Sequence, residues 1–268
     1  MQEYVKTDQQ IHWLSQVIAK VNRSFSEEKT DDSHTNLFYD PLGDKLTGRW
    51  ICVNDKIIML SLNLETWRME WLNENLEVLN FFDVLGLSIE EIEIKTGEYL
   101  EFLGADTSVL NKPLHFEISN YGLSILYEKD LNQTGLEQWK FYRNLANQAC
   151  TYFLGYIQKE SEIRIWPHHF DTGIFAPVNK KLEIGFGLAV KDNMAKSPYF
   201  YMAGYKENFP VSFSSKPALR YGKFIMEKHW KGAIITLDNL PSDSQKNAEE
   251  ILRTFIIESS GFYLNSKS

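Results

Sequence analysis

The chain has 268 residues, 43% of them apolar and 24% charged, with a formal net charge of −8. That size and composition suit a globular fold with a sizeable core. The acidic balance is spread along the chain, which argues against nucleic acid or an anionic membrane as partner, since both call for basic patches.

The two cysteines, Cys52 and Cys150, form no Cys-x-x-Cys. Unpaired thiols suit a reducing compartment. The first residues lack a signal pattern, and no run approaches the roughly 18 apolar residues of a membrane span. The expectation is a cytoplasmic protein.

Three helices are marked by one device, a hydroxyl residue followed three positions later by Gln or Glu. The pairs are Thr7 and Gln10, Thr134 and Glu137, Ser242 and Gln245. Each reads as a capping box, in which the two side chains satisfy amides of the first turn. Helical apolar spacing follows: Ile11, Leu14, Val17, Ile18 and Val21 in the first, Leu136, Trp139, Tyr142 and Leu145 in the second. The third has Ala248, Ile251, Leu252 and Phe255, with Gly261 as its stop. Each keeps a polar reverse face, so each should lie on a sheet or another helix.

Between the first two helices, residues 49–53 and 56–64 read as strands around an Asn54-Asp55 turn. Residues 66–72 alternate Trp67, Met69 and Trp71 with polar neighbours, as a half-buried strand does. Residues 76–85 read as a short helix ended by Gly86. Residues 90–103 fit either a strand or a helix interrupted at Gly97, and 113–127 are strand-like. After the second helix, 163–175, 181–190 and 198–205 read as strands, with 224–226 and 232–237 as two more.

This order gives an α+β fold: largely antiparallel sheet with amphipathic helices packed on one face. No linker or low-complexity stretch divides the chain, so one domain over 1–268 is expected. A helix-plus-three-strand order recurs weakly in residues 7–127 and 134–262, as pseudo-duplicated halves would.

Candidate chemistry gathers in residues 163–175, where Trp166, Pro167, His168, His169 and Asp171 stand together. In extended backbone His169 and Asp171 would share one face, and Trp166 and His168 the other. An imidazole and a carboxylate so placed can pair as base and orienting acid, or ligate a metal. The plainer reading is a structural histidine satisfied by the aspartate and a backbone carbonyl. A divalent metal would need further ligands, for which His229, Glu183 and Glu227 are available, though no spacing rule selects them. Tyr199 and Tyr201 share a face of the 198–205 strand and could wall a pocket with hydroxyl donors. Gly185 and Gly187 lack the third glycine of a dinucleotide fingerprint and read instead as room for neighbouring rings. Cys150, among apolar neighbours on a helix, reads as a buried and inert thiol.

The run Arg164-Ile-Trp-Pro-His-His-Phe-Asp171, the Pro198-Tyr-Phe-Tyr strand and Tyr221-Gly-Lys-Phe-Ile-Met226 before a final helix resemble a family of bacterial proteins known only as a domain of unknown function. The likeness covers roughly the last 130 residues. It implies a continuous bacterial domain and no particular activity.

Three functions follow as expectations. The first is a small-molecule-binding protein with Trp166, His168, His169, Asp171, Tyr199 and Tyr201 around its pocket. The second is a metal-assisted hydrolase using His169, Asp171 and His229. The third is an oligomeric interaction module without a site of its own.

Overall fold

The computed structural model describes residues 1–206, 211–241 and 244–265. Among these residues the fold is α+β, with four α-helices and two antiparallel sheets. The chain forms two compact units. The N-terminal unit is Gln2–Lys140 with Ile165–Phe170; the C-terminal unit is Phe141–Arg164 with Asp171–Ser268 and Met1.

In the N-terminal unit, α1 (Gln2–Phe25) precedes β1 (Phe38–Asp40), β2 (Lys45–Thr47), β3 (Ile51–Val53), β4 (Lys56–Asn63), β5 (Arg68–Asn73) and β6 (Val78–Asp83). The sheet order is β1-β2-β4-β5-β6, with β3 also paired to β4. Asn54 and Asp55 turn the β3–β4 hairpin with φ of 46° and 64°, the left-handed pair that a two-residue loop requires. Alternation puts Leu46, Ile58, Leu60, Leu62, Met69 and Trp71 on one buried face, and α1 packs against β3 and β4.

The first helix departs from expectation. It begins at Gln2, and Thr7 is a buried interior residue rather than a cap. A Cβ on Gly135 would come within 2.4 Å of Thr7 Oγ1, so Thr7 sits where another helix crosses closely. Nor does α1 keep a polar reverse face: Asp8, Gln10, His12, Ser15 and Asn22 are all buried. They are tolerated because they bond inside the unit. Gln10 donates to the Asp130 carbonyl, Ser15 to the His12 carbonyl, and Asn22 to the carbonyls of Thr35 and Asn36.

Residues 76–85 are no helix. Asn73 Oδ1 accepts from the amides of Asn75 and Glu77, Leu76 takes a left-handed φ of 63°, and the chain reverses into β6. The helix lies further on, as α2 (Ile89–Phe102), where Ser88 and Glu91 form a true capping box. Gly97 is inside it. Residues 113–127 hold only an isolated bridge between Ser88 and Ile125.

The helix α3 (Gln133–Ile157) carries the chain from one unit into the other. Asn132, not Thr134, caps it, accepting from the Gly135 amide at 2.7 Å. The C-terminal unit adds β8 (Thr172–Asn179), β9 (Leu182–Ala189), β10 (Tyr199–Lys206), β11 (Lys223–Met226), β12 (Lys231–Thr236) and α4 (Gln245–Leu264). The strands run β11-β12-β10-β9-β8, and the two-residue β7 (Arg164–Ile165) spans the boundary between the units.

The inner face of this sheet is apolar. Phe186 packs on Phe153 of α3 and on Phe200, and Ser259 and Tyr263 of α4 donate to Met202. Ser242 lies outside the described residues. The cap of α4 is Ser244, accepting from the Asn247 amide, and the helix runs past Gly261 to an end at Asn265. No described helix is long and apolar enough to cross a membrane.

Candidate functional site

The stretch expected as one strand over 163–175 is broken. After β7, residues 167–169 form a turn, and β8 starts only at Thr172. Pro167 opens the turn, the Phe170 amide donates to the Trp166 carbonyl at 2.7 Å, and Phe170 adopts a left-handed φ of 56°. Such a φ is uncommon for a bulky side chain. It is held because the Phe170 ring is fully buried, stacked on His12 with centroids 4.5 Å apart. The extended backbone that would have put His169 and Asp171 on one face is therefore absent. Trp166, His168 and His169 belong to the N-terminal unit, Asp171, Tyr199, Tyr201 and His229 to the C-terminal unit.

Within the N-terminal unit, His169 is exposed and His168 half-buried, their rings 4.3 Å apart. Phe116 lies 5.5 Å from His168, and His115 pairs with Asp32 at 3.3 Å. Burial, then the neighbouring His169 and His115, pull His168 down to about 4.

A further histidine, on α1, is buried. His12 Nδ1 lies 2.7 Å from the Tyr121 hydroxyl and Nε2 lies 2.8 Å from the Pro167 carbonyl. One turn away, Asp8 accepts from Trp139 Nε1 at 2.8 Å. Burial and the Asp8 charge push Tyr121 up to about 12. Sequence reasoning missed this group. Its one visible signal is the Asp8/His12 spacing, which puts two polar residues on a single helix face.

In the C-terminal unit the tyrosine strand behaves as read. Tyr199, Tyr201, Ala203 and Tyr205 share the outer face, opposite Ala189, Gly187, Gly185 and Glu183 of β9. Phe175 of β8 stands on the same face, opposite Gly185. Tyr201 donates to Asp171 Oδ2 at 2.7 Å, whereas Tyr199 donates to Asp192 at 2.6 Å. Tyr199 is thereby taken up in a small core with Ala195 and Ile234, against which Met194, Ile225 and Trp230 pack. Tyr201 packs against the same core and Ala203 is buried, so the open part of the face is Phe175 and Tyr205, 39% and 44% exposed with their rings 5.5 Å apart. Gly185 forms the floor beneath them, since a Cβ there would touch Tyr205, Phe175 and Tyr201 at 3.5 to 3.8 Å. Burial and then Asp171 hold the Tyr201 hydroxyl well above its ordinary range, so it stays a protonated donor.

The same unit holds a groove of about 430 Å³ between α3 and α4. Leu145, Ala149, Leu252 and Ile256 floor it, and Tyr152 lies against Arg253 at its rim. His229 is exposed in the turn before β12. Among the described residues no three His, Cys, Asp or Glu side chains are grouped to hold a metal ion. Cys150 is fully buried and raised by that burial, and Cys52 is exposed; neither is in a disulfide.

No family model, no curated protein and no solved structure matches this chain.

Proposed function

We propose that this is a cytoplasmic small-molecule-binding protein whose site is the outer face of the C-terminal sheet around Asp171 and Tyr201. The observation that carries the reading is the bond between these two groups beside a glycine floor and two half-exposed rings. Rings without a side chain beneath them offer a flat apolar body for a ligand ring to stack on. The Tyr201 hydroxyl, oriented by the carboxylate, keeps lone pairs with which to accept from the ligand. The two unpaired thiols favour a reducing compartment.

The test is a thermal-shift screen of small aromatic, heteroaromatic and sugar compounds, followed by titration calorimetry on the hits. Gly185→Leu fills the floor and should abolish binding, while Tyr201→Phe should weaken it about tenfold. A hit that binds Gly185→Leu as well as wild type removes the reading. If Ala149→Phe abolishes that binding instead, the ligand belongs to the groove between α3 and α4.

A further inference from the structure

The last strand of the N-terminal sheet is apolar and in solvent. Val78, Leu79 and Phe81 of β6 and Leu76 just before it are 44% to 59% exposed. Among the described residues only β5 pairs with β6, so its far edge presents backbone N–H and C=O groups to solvent. Natural sheets blunt such an edge with Lys, Pro, an inward charge or a bulge. The run Val78-Leu-Asn-Phe-Phe82 has no charge and no Pro, and a bulge is its one such device. A bulge passes over Leu79 and leaves Asn80–Asp83 as the regular part of the edge, with Leu79 set apart from the ladder. Arg68 lies 4.7 Å over the Phe81 ring and pairs with Asp83 at 2.7 Å, which fixes that ring beside the edge.

We propose that this edge takes up an extended segment of another protein as an added strand. The segment places apolar residues beside Val78, Leu79 and Phe81, and a Lys or Arg at the end that meets Glu74 and Glu77. The backbone edge selects an extended chain over a helix or a small molecule. The exposed glutamates of the β5–β6 turn and the net charge of −8 select a basic partner. A second copy fits poorly. It would bring the same exposed glutamates and a second net charge of −8 to the edge, so like charge opposes it.

The probe is a fluorescein-labelled peptide, Lys-Val-Thr-Val-Thr-Val-Lys, titrated by anisotropy against the intact protein. Saturable binding is expected, weaker by tenfold or more in Val78→Lys and Leu79→Lys, both exposed positions whose urea midpoints should stay as in wild type. The same peptide with Glu at both ends should not bind, and Glu74→Lys with Glu77→Lys should weaken the Lys-ended one. No binding to wild type, equal binding by Leu79→Lys, or equal affinity for the Glu-ended peptide would overturn the proposal. So would a concentration-dependent dimer in sedimentation equilibrium that Leu79→Lys abolishes, since that assigns the edge to a second copy.

Discussion

Nε2 of His12 lies 2.8 Å from the carbonyl oxygen of Pro167, and a carbonyl can only accept, so Nε2 carries a proton. In the neutral ring Nδ1 is then the acceptor, and the Tyr121 hydroxyl donates to it. A side chain on α1 thus ties down both the turn at Pro167 and the irregular segment holding Tyr121. His12→Phe keeps the ring's bulk and its stack on Phe170 but loses both bonds. It should lower stability by about 1 to 2 kcal/mol: the half-buried Tyr121 hydroxyl loses its bond, while the Pro167 carbonyl keeps the one donated by Gln16 Nε2. Urea unfolding followed by tryptophan fluorescence reads this; an unchanged midpoint would show that water replaces the ring at no cost.

The Tyr201–Asp171 bond makes a prediction on the alkaline side. Tyr201, Tyr199 and Tyr263 are all raised above the ordinary 10.0, chiefly by burial. The fold therefore holds these protons more tightly than the unfolded chain does. Stability is fully present below about pH 10 and is lost as pH climbs through 10 toward the folded values. Tyr201→Phe removes one such group, so its stability should fall less steeply above pH 10, on top of a pH-independent loss of about 1 to 2 kcal/mol from the missing bond. Unfolding curves at a series of pH values test the slope, and identical slopes in the two proteins would refute it.

What could be read from the sequence followed local rules, and what could not depended on distant partners. The β3–β4 hairpin was legible because Asn54 and Asp55 accept positive φ whatever surrounds them. The tyrosine strand was legible because alternation alone fixes its faces. Thr7 misled because a hydroxyl before an apolar helix looks the same as a cap or as a buried contact; the difference is Gly135, 128 positions away. Residues 163–175 misled for a like reason. The turn there is held by Phe170 stacking on His12, and nothing beside Phe170 in sequence announces its partner. Two of the six candidate ligand-binding residues, Asp171 and Tyr201, are hydrogen-bonded to each other, and both lie on regular strands or next to one.

His168 gives the acid-side counterpart. It falls from 6.5 to about 4, through burial first and then His169 and His115. A depressed histidine stays neutral in the fold while the unfolded chain takes up a proton. The stability it contributes is present above about pH 6.5 and is lost as pH falls from there toward 4. His169→Ala removes the nearest like charge, so the His168 midpoint should rise. The imidazole Cε1–H resonances, followed by NMR across this range, give both midpoints directly. A His168 that titrates near 6.5 in wild type would contradict the packing against Phe116.

The two glycines of β9 look interchangeable in sequence, and their surroundings set them apart. A Cβ on Gly187 would lie 2.4 Å from the Thr172 carbonyl oxygen and 2.7 Å from Gly173 Cα, which are backbone atoms of the paired strand. They cannot move without opening the β8–β9 ladder, so Gly187→Ala should destabilise by about 1 to 3 kcal/mol. At Gly185 the nearest atoms belong to three rings and none is closer than 3.5 Å, an ordinary contact. Gly185→Ala should therefore be neutral, or stabilising by about 0.4 to 1 kcal/mol, since alanine restricts the unfolded chain and its methyl fits under the rings. The paired urea midpoints decide it. Equal losses in the two variants would mean that the rings over Gly185 pack as rigidly as backbone, and the floor would then have no space for a larger side chain or a ligand.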